Sequence, residues 1–374
     1  MNFVSNSGVA AALTVDEVLR VSETLERAAE SVYAIDPLCD QRWTTLVNSH
    51  PHSSVFHSRN WLRALRNVYH YDAVAITTCP PEYPLTNAVV FCPTNSWLTG
   101  RRFVSLPFSD HCEPLIDQSD QFDKIVVHMK RWVDEDSWKY IEIRPVNRQP
   151  AEGTELSRDV TYFLHRLDLR PTTLELFRNF HKDCVQRKIR RSEREKLQYE
   201  EGTSEDLLQK FYRLFVLTRR RHYLPPQPLT WFRGLIASFG NELKIRVASK
   251  DGVAIASILT LSHKRSMVYK YGCSDAAFSN LGGTAMLFWK AIQEAKDKGF
   301  EEFEMGRSDI DNLGLITFKE HWGASGTLMS YWTYPRIGVG LSSVWRNKLA
   351  RRLVPILPDL MLKAVGKLLY RHIA

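Results

Sequence analysis

The chain has 374 residues and a formal charge of +8, with 44% apolar and 25% charged residues. That length exceeds one ordinary core and predicts two domains of about 150 residues each. The composition excludes a low-complexity chain, and no apolar run approaches the roughly 20 residues of a membrane-spanning helix. The six cysteines (Cys39, Cys79, Cys92, Cys112, Cys184, Cys273) form no C-x-x-C pair. Their spacing signals neither zinc nor a dithiol, and reduced thiols in a cytoplasmic compartment are expected.

Residues 1–36 read as a helical or disordered leader. The opening "MNFVSNSGVAAALTVDEVLR" lacks a basic start and soon meets Asp16 and Glu17, unlike a signal peptide. "SRNWLRALRNVY" predicts a helix capped by Ser58, with Trp61, Leu62, Leu65 and Val68 at helical spacing. The runs "YDAVAITT", "LTNAVVFC" and "RRFVSLPF" predict strands, "DQFDKIVVHMKRWV" a helix, and "WKYIEIRP" a further strand. Residues 147–159, with Pro, Gly and charge but no apolar period, place a boundary between a first unit at 37–150 and a second at 151–335.

The second unit opens with the strand "TYFLHRLDL" and continues in helices: "TTLELFRNF", "DCVQRKIRRSEREK", "SEDLLQKFYRLFVLTRRRH" capped by Ser204, and "PPQPLTWFRGLIASFG". "ELKIRVASK", "GVAIASILTLSHK" and "SMVYKYGCS" predict antiparallel neighbours joined by hairpin turns. An amphipathic helix closed by Gly299, the short strand "FEEFEMG" and a last strand "ASGTLMSYWTYP" complete it. Both units run helices, antiparallel strands, helix, short strand. The triplets Ile141-Glu142-Ile143 and Phe303-Glu304-Met305 follow a helix in each, which predicts an internal duplication of an α/β unit.

Candidate chemistry sits in three places. "NLGGTA", residues 280–285, lies between a strand and a helix; its glycines permit a sharp turn, and helix-start amides seat a phosphate or pyrophosphate. Read as N-x-x-G-x-A, it is close to the loop by which acyl-CoA-dependent N-acyltransferases cradle the pyrophosphate of CoA. Asn280, Gly282, Gly283 and Thr284 are therefore candidate donor-binding residues. On the predicted helix 183–196, Arg187, Arg190, Arg191 and Arg194 share one face, and "TRRRH" adds charge, which suits a phosphate-bearing substrate or tRNA. A solvated face is the plainer reading. No helix-turn-helix or zinc pattern supports DNA binding. "SDHCEP", residues 109–114, reads as a turn lining a cleft rather than a Cys–His nucleophile. No H-E-x-x-H or similar spacing signals a metal.

Taken in order, "CVQRKIRRSEREK", "VYKYGCSD", "LGGTAMLFWKAIQEAKDKGFEEFEMGRS" and "GLITFKEHWGA" resemble the FemAB-like branch of the GNAT acyltransferase superfamily. "SSVFHSRNWLRAL" and "RRFVSLPFSDHCEPL" resemble the opening domain of its exopolysaccharide- and envelope-associated members. The resemblance spans about 40–335. It implies an α/β (α+β) fold of two tandem GNAT-like domains, each a mixed, largely antiparallel sheet flanked by helices. It also implies transfer of an acyl or aminoacyl group to an amine, from acyl-CoA (acetyl-CoA the simplest) or aminoacyl-tRNA.

The Phe-Lys pair of the peptidoglycan-bridge members matches Phe318-Lys319. By that match Lys319 stabilises an oxyanion, Phe318 and Trp322 pack the donor, and Tyr269 and Tyr271 join Arg187, Arg190 and Arg191 in binding substrate. Glu304 and Asp309 are candidate bases. Asn280 departs from the Arg or Gln of the pyrophosphate loop. No coiled-coil arm is inserted, which favours acyl-CoA. The expected reaction is N-acylation of an envelope or exopolysaccharide precursor, with a small-molecule or lipid-linked glycan as acceptor. Aminoacyl transfer from tRNA and a non-catalytic basic binding module are the alternatives. Residues 336–374 form a basic amphipathic C-terminal tail that either packs back as a helix or lies on an anionic membrane, at the inner face.

Overall fold

Ser58 and Ser204 each accept a backbone N–H from three residues on, Trp61 and Leu207, and so fix two helix starts where the sequence places them. Asp251 and Gly252 both adopt positive φ (49° and 79°), the pairing a two-residue hairpin requires. The structure is a computed structural model that describes residues 32–135, 138–147, 151–336 and 354–372.

The first half runs β1 (Tyr33–Ile35), α1 (Arg42–Ser49), α2 (Arg59–Tyr69), β2 (Val74–Thr77), β3 (Val89–Ser96), β4 (Gly100–Val104), α3 (Ser119–Glu135) and β5 (Tyr140–Ile143). The second runs β6 (Ser157–Asp168), α4 (Thr173–Asn179), α5 (Arg187–Arg194), β7 (Gln198–Gly202), α6 (Glu205–Arg221), α7 (Leu229–Phe239), β8 (Leu243–Lys250), β9 (Val253–His263), β10 (Ser266–Ser274), α8 (Gly283–Asp297), β11 (Glu302–Asp309), α9 (Leu313–Glu320) and β12 (Ser325–Tyr334). A final helix, α10, spans Asp359–Leu369.

All twelve strands form one sheet in the order β1-β2-β3-β4-β5-β12-β6-β11-β10-β9-β8-β7. The pairs β4·β5 and β10·β11 are parallel, each bridged by one helix, and the other pairs are antiparallel. The last strand does not close the second unit alone. β12 lies between β5 and β6 and bonds to both, so the halves share one continuous sheet. Two elements escape sequence reading: β1 inside the expected leader, and β7, whose polar "QYEEG" carries no apolar alternation.

Strands β8 and β9 alternate their side chains between two cores. Ile245, Val247 and Leu259 face α6 and α7, whereas Ala248, Ile255 and Ile258 face α8. A third core gathers Phe103, Trp132, Ile141 and Trp332 beneath α3. Of the leader, residues 1–31 lie outside the described residues, as do 337–353 of the tail. The described tail packs back: Leu362 and Gly366 are buried, Tyr71 donates to the Arg371 carbonyl at 2.8 Å, and Arg102 donates to that of His372 at 3.0 Å. Ile356, Leu360, Met361 and Leu368 stay exposed.

Candidate active site

Strands β10 and β11 run side by side only over Ser266–Val268 and Glu302–Glu304. Beyond that point each is irregular. Lys270 bulges out of β10 with no register partner on β9, and β11 shifts register between Glu304 and Arg307 against β6. The strands therefore part at their C-terminal ends, where α8 begins.

The loop 105–118 of the first half reaches this place. Asp110 bonds Lys270 at 2.9 Å and lies 4.0 Å from Arg307, and Tyr331 donates to the Asp110 carbonyl at 2.9 Å. His111 meets Glu304 through Nε2 at 3.0 Å, both being 3% exposed. Arg166 approaches the same carboxylate at 3.4 Å. Burial works to raise the Glu304 carboxyl, but His111 and then Arg166 outweigh it and hold it below its ordinary value. Asp110 is likewise lowered, by Lys270 and Arg307 acting against burial.

Lys319 is 2% exposed and donates to the carbonyls of Gly306 and Arg307, at 2.7 and 3.0 Å, beside the register shift of β11. Burial lowers its pKa to about 8, against the pull of Asp110 and Glu304. On the other side of Glu304 a cavity of about 1010 Å³ opens between the halves, lined by His111, Glu113, Arg166, His263, Glu302 and Glu304 among others. The carboxylate thus stands between a large cavity lined by several charged side chains and the parted strands.

Other predicted site residues are placed differently. Phe318 meets Phe288 edge-on at 5.7 Å, and Trp322, 1% exposed, stacks on the same ring at 5.2 Å, so the tryptophan is core. The Lys270 bulge reverses strand alternation and sends Tyr269 and Tyr271 to opposite faces. Tyr269 packs on Phe288, while the Tyr271 hydroxyl accepts the Trp231 N–H at 2.9 Å, so the two do not converge. Asp309 is exposed at the far end of β11.

The predicted basic helix is divided: Lys182–Gln186 form a π-helical turn and α5 follows. Arg187 pairs with Asp183 at 3.5 Å, Arg191 with Glu195, and Arg190 lies over the Phe177 ring; all three are exposed. Asn280 is exposed and Thr284 half-buried at the start of α8. The glycines here serve packing. Gly282 has φ +83°, and a Cβ on it would stand 2.1 Å from the Lys188 carbonyl; one on Gly283 would meet Ala256 and Ile255 at 3.2 Å.

Sequence reading missed Asp110, His111, Lys270 and Arg307 as a cluster. The available signals were the acid–His pair in "SDHCEP" and a lysine and an arginine inside otherwise apolar strands. Cys112 is no nucleophile: burial pushes its thiol up to about 12 and its neighbour His57 down to about 3.

The family model for the acetyltransferase (GNAT) domain matches residues 179–319, which contain β10, α8, β11 and Lys319. No curated protein sequence matches. Among solved structures, FemX aligns with a TM-score of 0.62 at 12% identity, over 85% of this chain and 99% of that one. A tandem GNAT protein from the clavulanic acid biosynthesis pathway aligns at 0.51 and 11%, over 81% and 97%. The C-terminal domain of a protein described as a lysylphosphatidylglycerol synthetase, from Agrobacterium fabrum, aligns at 0.51 and 14%, over 85% and 96%. At these identities the likeness is one of fold. The family match falls on the parted strands and the whole sheet aligns with tandem structures, so residues 179–319 carry an acetyltransferase (GNAT) domain within a chain that shares the fold of FemX and of the tandem GNAT protein.

Proposed function

We propose that the protein transfers an acyl group from acyl-CoA to an amine of a cell-envelope or exopolysaccharide precursor. The observation that carries this reading is Glu304, bonded to His111 from the other half, between the cavity and the parted strands. The pyrophosphate of the donor sits on the first amides of α8, whose first turn holds no acidic residue. Its acyl thioester lies between β10 and β11, and the acceptor enters from the cavity.

The amine nitrogen attacks the thioester carbon, and the C–S bond breaks as the tetrahedral intermediate collapses. One amine proton passes to the Glu304–His111 pair, and the same proton leaves the pair for the departing CoA thiolate, which restores the base. The unpaired bulge at Lys270 brings a backbone amide to the oxyanion. Lys319 adds positive charge while its ammonium holds the Gly306 and Arg307 carbonyls in place. A panel of acyl-CoA donors and amino-sugar acceptors, assayed by thiol release, tests the reading. Acceptor-dependent release that Glu304→Gln abolishes supports it, and the absence of release with every donor overturns it.

The exposed basic face of α5 favours tRNA as the second donor to examine. Titrations with CoA and with tRNA at two salt concentrations separate the cases. CoA binding supports acyl-CoA use, aminoacyl transfer supports tRNA, and salt-sensitive tRNA binding without turnover marks a non-catalytic module. A lipid-linked acceptor fits the exposed apolar face Ile356, Leu360, Met361 and Leu368, which suits contact with the inner face of an anionic membrane. Leu360→Glu with Leu368→Glu then lowers co-sedimentation with anionic vesicles and leaves the fold intact. Deleting the whole tail is a poorer test, because Tyr370 and His372 are core.

A further inference from the structure

His181, Cys184 and His321 come together at the surface from two separate segments. His181 caps the π-helical turn Lys182–Gln186, and its Nδ1 accepts the Cys184 N–H at 3.2 Å. His321 is the C-cap of α9, and its carbonyl accepts the His181 backbone N–H at 2.9 Å. The two rings lie 4.2 Å apart between centroids, tilted by 44°. One ligand atom from each residue falls within 4.8 Å of the other two.

We propose that His181, Cys184 and His321 form a zinc site. Two imidazoles and one thiolate are a borderline-soft set that suits this ion. Zinc bonds of ~2.0–2.3 Å require the ligand atoms to close by roughly 1 Å, which surface side chains achieve by rotamer adjustment. Binding through the His181 Nδ1 displaces a long N-cap bond directly; binding through Nε2 moves the ring proton to Nδ1 and ends the same bond. Cys184 loses its thiol proton, and water completes the coordination. None of the three residues lines the cavity between the halves, so the ion would be structural rather than catalytic.

Its place in the fold gives it leverage. His321 lies two residues past Lys319. The turn that carries His181 and Cys184 leads into α5, whose Lys188 carbonyl packs against Gly282 at the start of α8. A bound ion would therefore staple the helix carrying Lys319 to the segment that seats α8. Sequence spacing does not reveal the site because H-x-x-C supplies only two ligands and the third comes from α9.

The test uses the untagged full chain, stripped with chelator and titrated with zinc and with cobalt. The expected result is a single equivalent of zinc bound and raised thermal stability. Cobalt should show a thiolate charge-transfer band with tetrahedral visible bands. Cys184→Ser abolishes the charge-transfer band, and His321→Ala weakens zinc binding by more than about tenfold. A cobalt spectrum without thiolate character in the wild-type chain overturns the site. So does zinc affinity that neither variant changes, which would assign binding to other surface histidines. Both readouts are independent of acyl transfer.

Discussion

The unit β4–α3–β5 and the unit β10–α8–β11 are the same construction put to different uses. Both are parallel pairs bridged by one helix, and their registers match residue for residue: Phe103 faces Ile141 and Val104 faces Glu142, as Met267 faces Phe303 and Val268 faces Glu304. Their helix starts differ. The first turn of α3 carries Asp120, whereas that of α8 carries no acid and begins on glycines packed against α5 and the sheet. A carboxylate at a helix start repels the anion that bare amides attract. Their connections differ as well. The loop 105–118 of the first unit crosses to the second and delivers Asp110 and His111, while the turn 276–281 of the second stays short. On the proposed function, one copy holds the donor seat, and the other, with an acid at its helix start, supplies groups to the acceptor side.

The matched glutamates give the largest effect. Glu304→Gln should lower turnover by at least about a hundredfold, the usual loss for a general base. Glu142, tied to Arg144 at 2.8 Å, should tolerate the same change within about tenfold. Equal losses in kcat would mean that the units are not divided in role.

Lys319→Met comes next, with turnover down by at least about tenfold. The buried Gly306 carbonyl then loses its donor at a stability cost of about 1–3 kcal/mol, and the part-buried Arg307 carbonyl loses its own at a smaller one, readable by urea unfolding. The pH dependence sharpens this. The folded protein holds the Lys319 pKa at about 8, below its ordinary value of 10.5. Between those values the unfolded chain binds a proton that the folded chain has lost, so this group makes stability rise with pH there. The variant should lack that rise.

Thr284→Asp gives the second helix start the character of the first. Donor KM should rise about fivefold while thermal stability holds or improves, since an acid suits a helix start. An unchanged KM would remove the donor from α8. Gly283→Val is a weaker probe, because its side chain crowds the sheet at 3.2 Å from Ala256 and Ile255 and a loss there reports packing. The smallest effect is expected from reversing Arg187, Arg190 and Arg191 to Glu, about threefold weaker binding of a phosphate-bearing substrate, erased at high salt. Indifference to both assigns that face to solvent.

The duplicated order of elements was legible because each unit announces itself locally. A serine cap, a hairpin turn or an apolar–Glu–apolar triplet needs only neighbouring residues to be read. Lys319 and Glu304 stood out as charges set in apolar runs, and both are buried. The sharing of β12 was not, since strand order depends on pairing between segments far apart in the chain. The bulge at Lys270, which sends Tyr269 and Tyr271 apart, has no marker in "VYKYG". The His111–Glu304 contact spans both halves, and no spacing rule connects them.

Hydrogen exchange with and without CoA tests the division between the units most directly. The account predicts protection of the amides at 282–287 on saturation with CoA, and no change at the matching start of α3, 118–123. Protection at 118–123 instead, or at neither helix start, would contradict it.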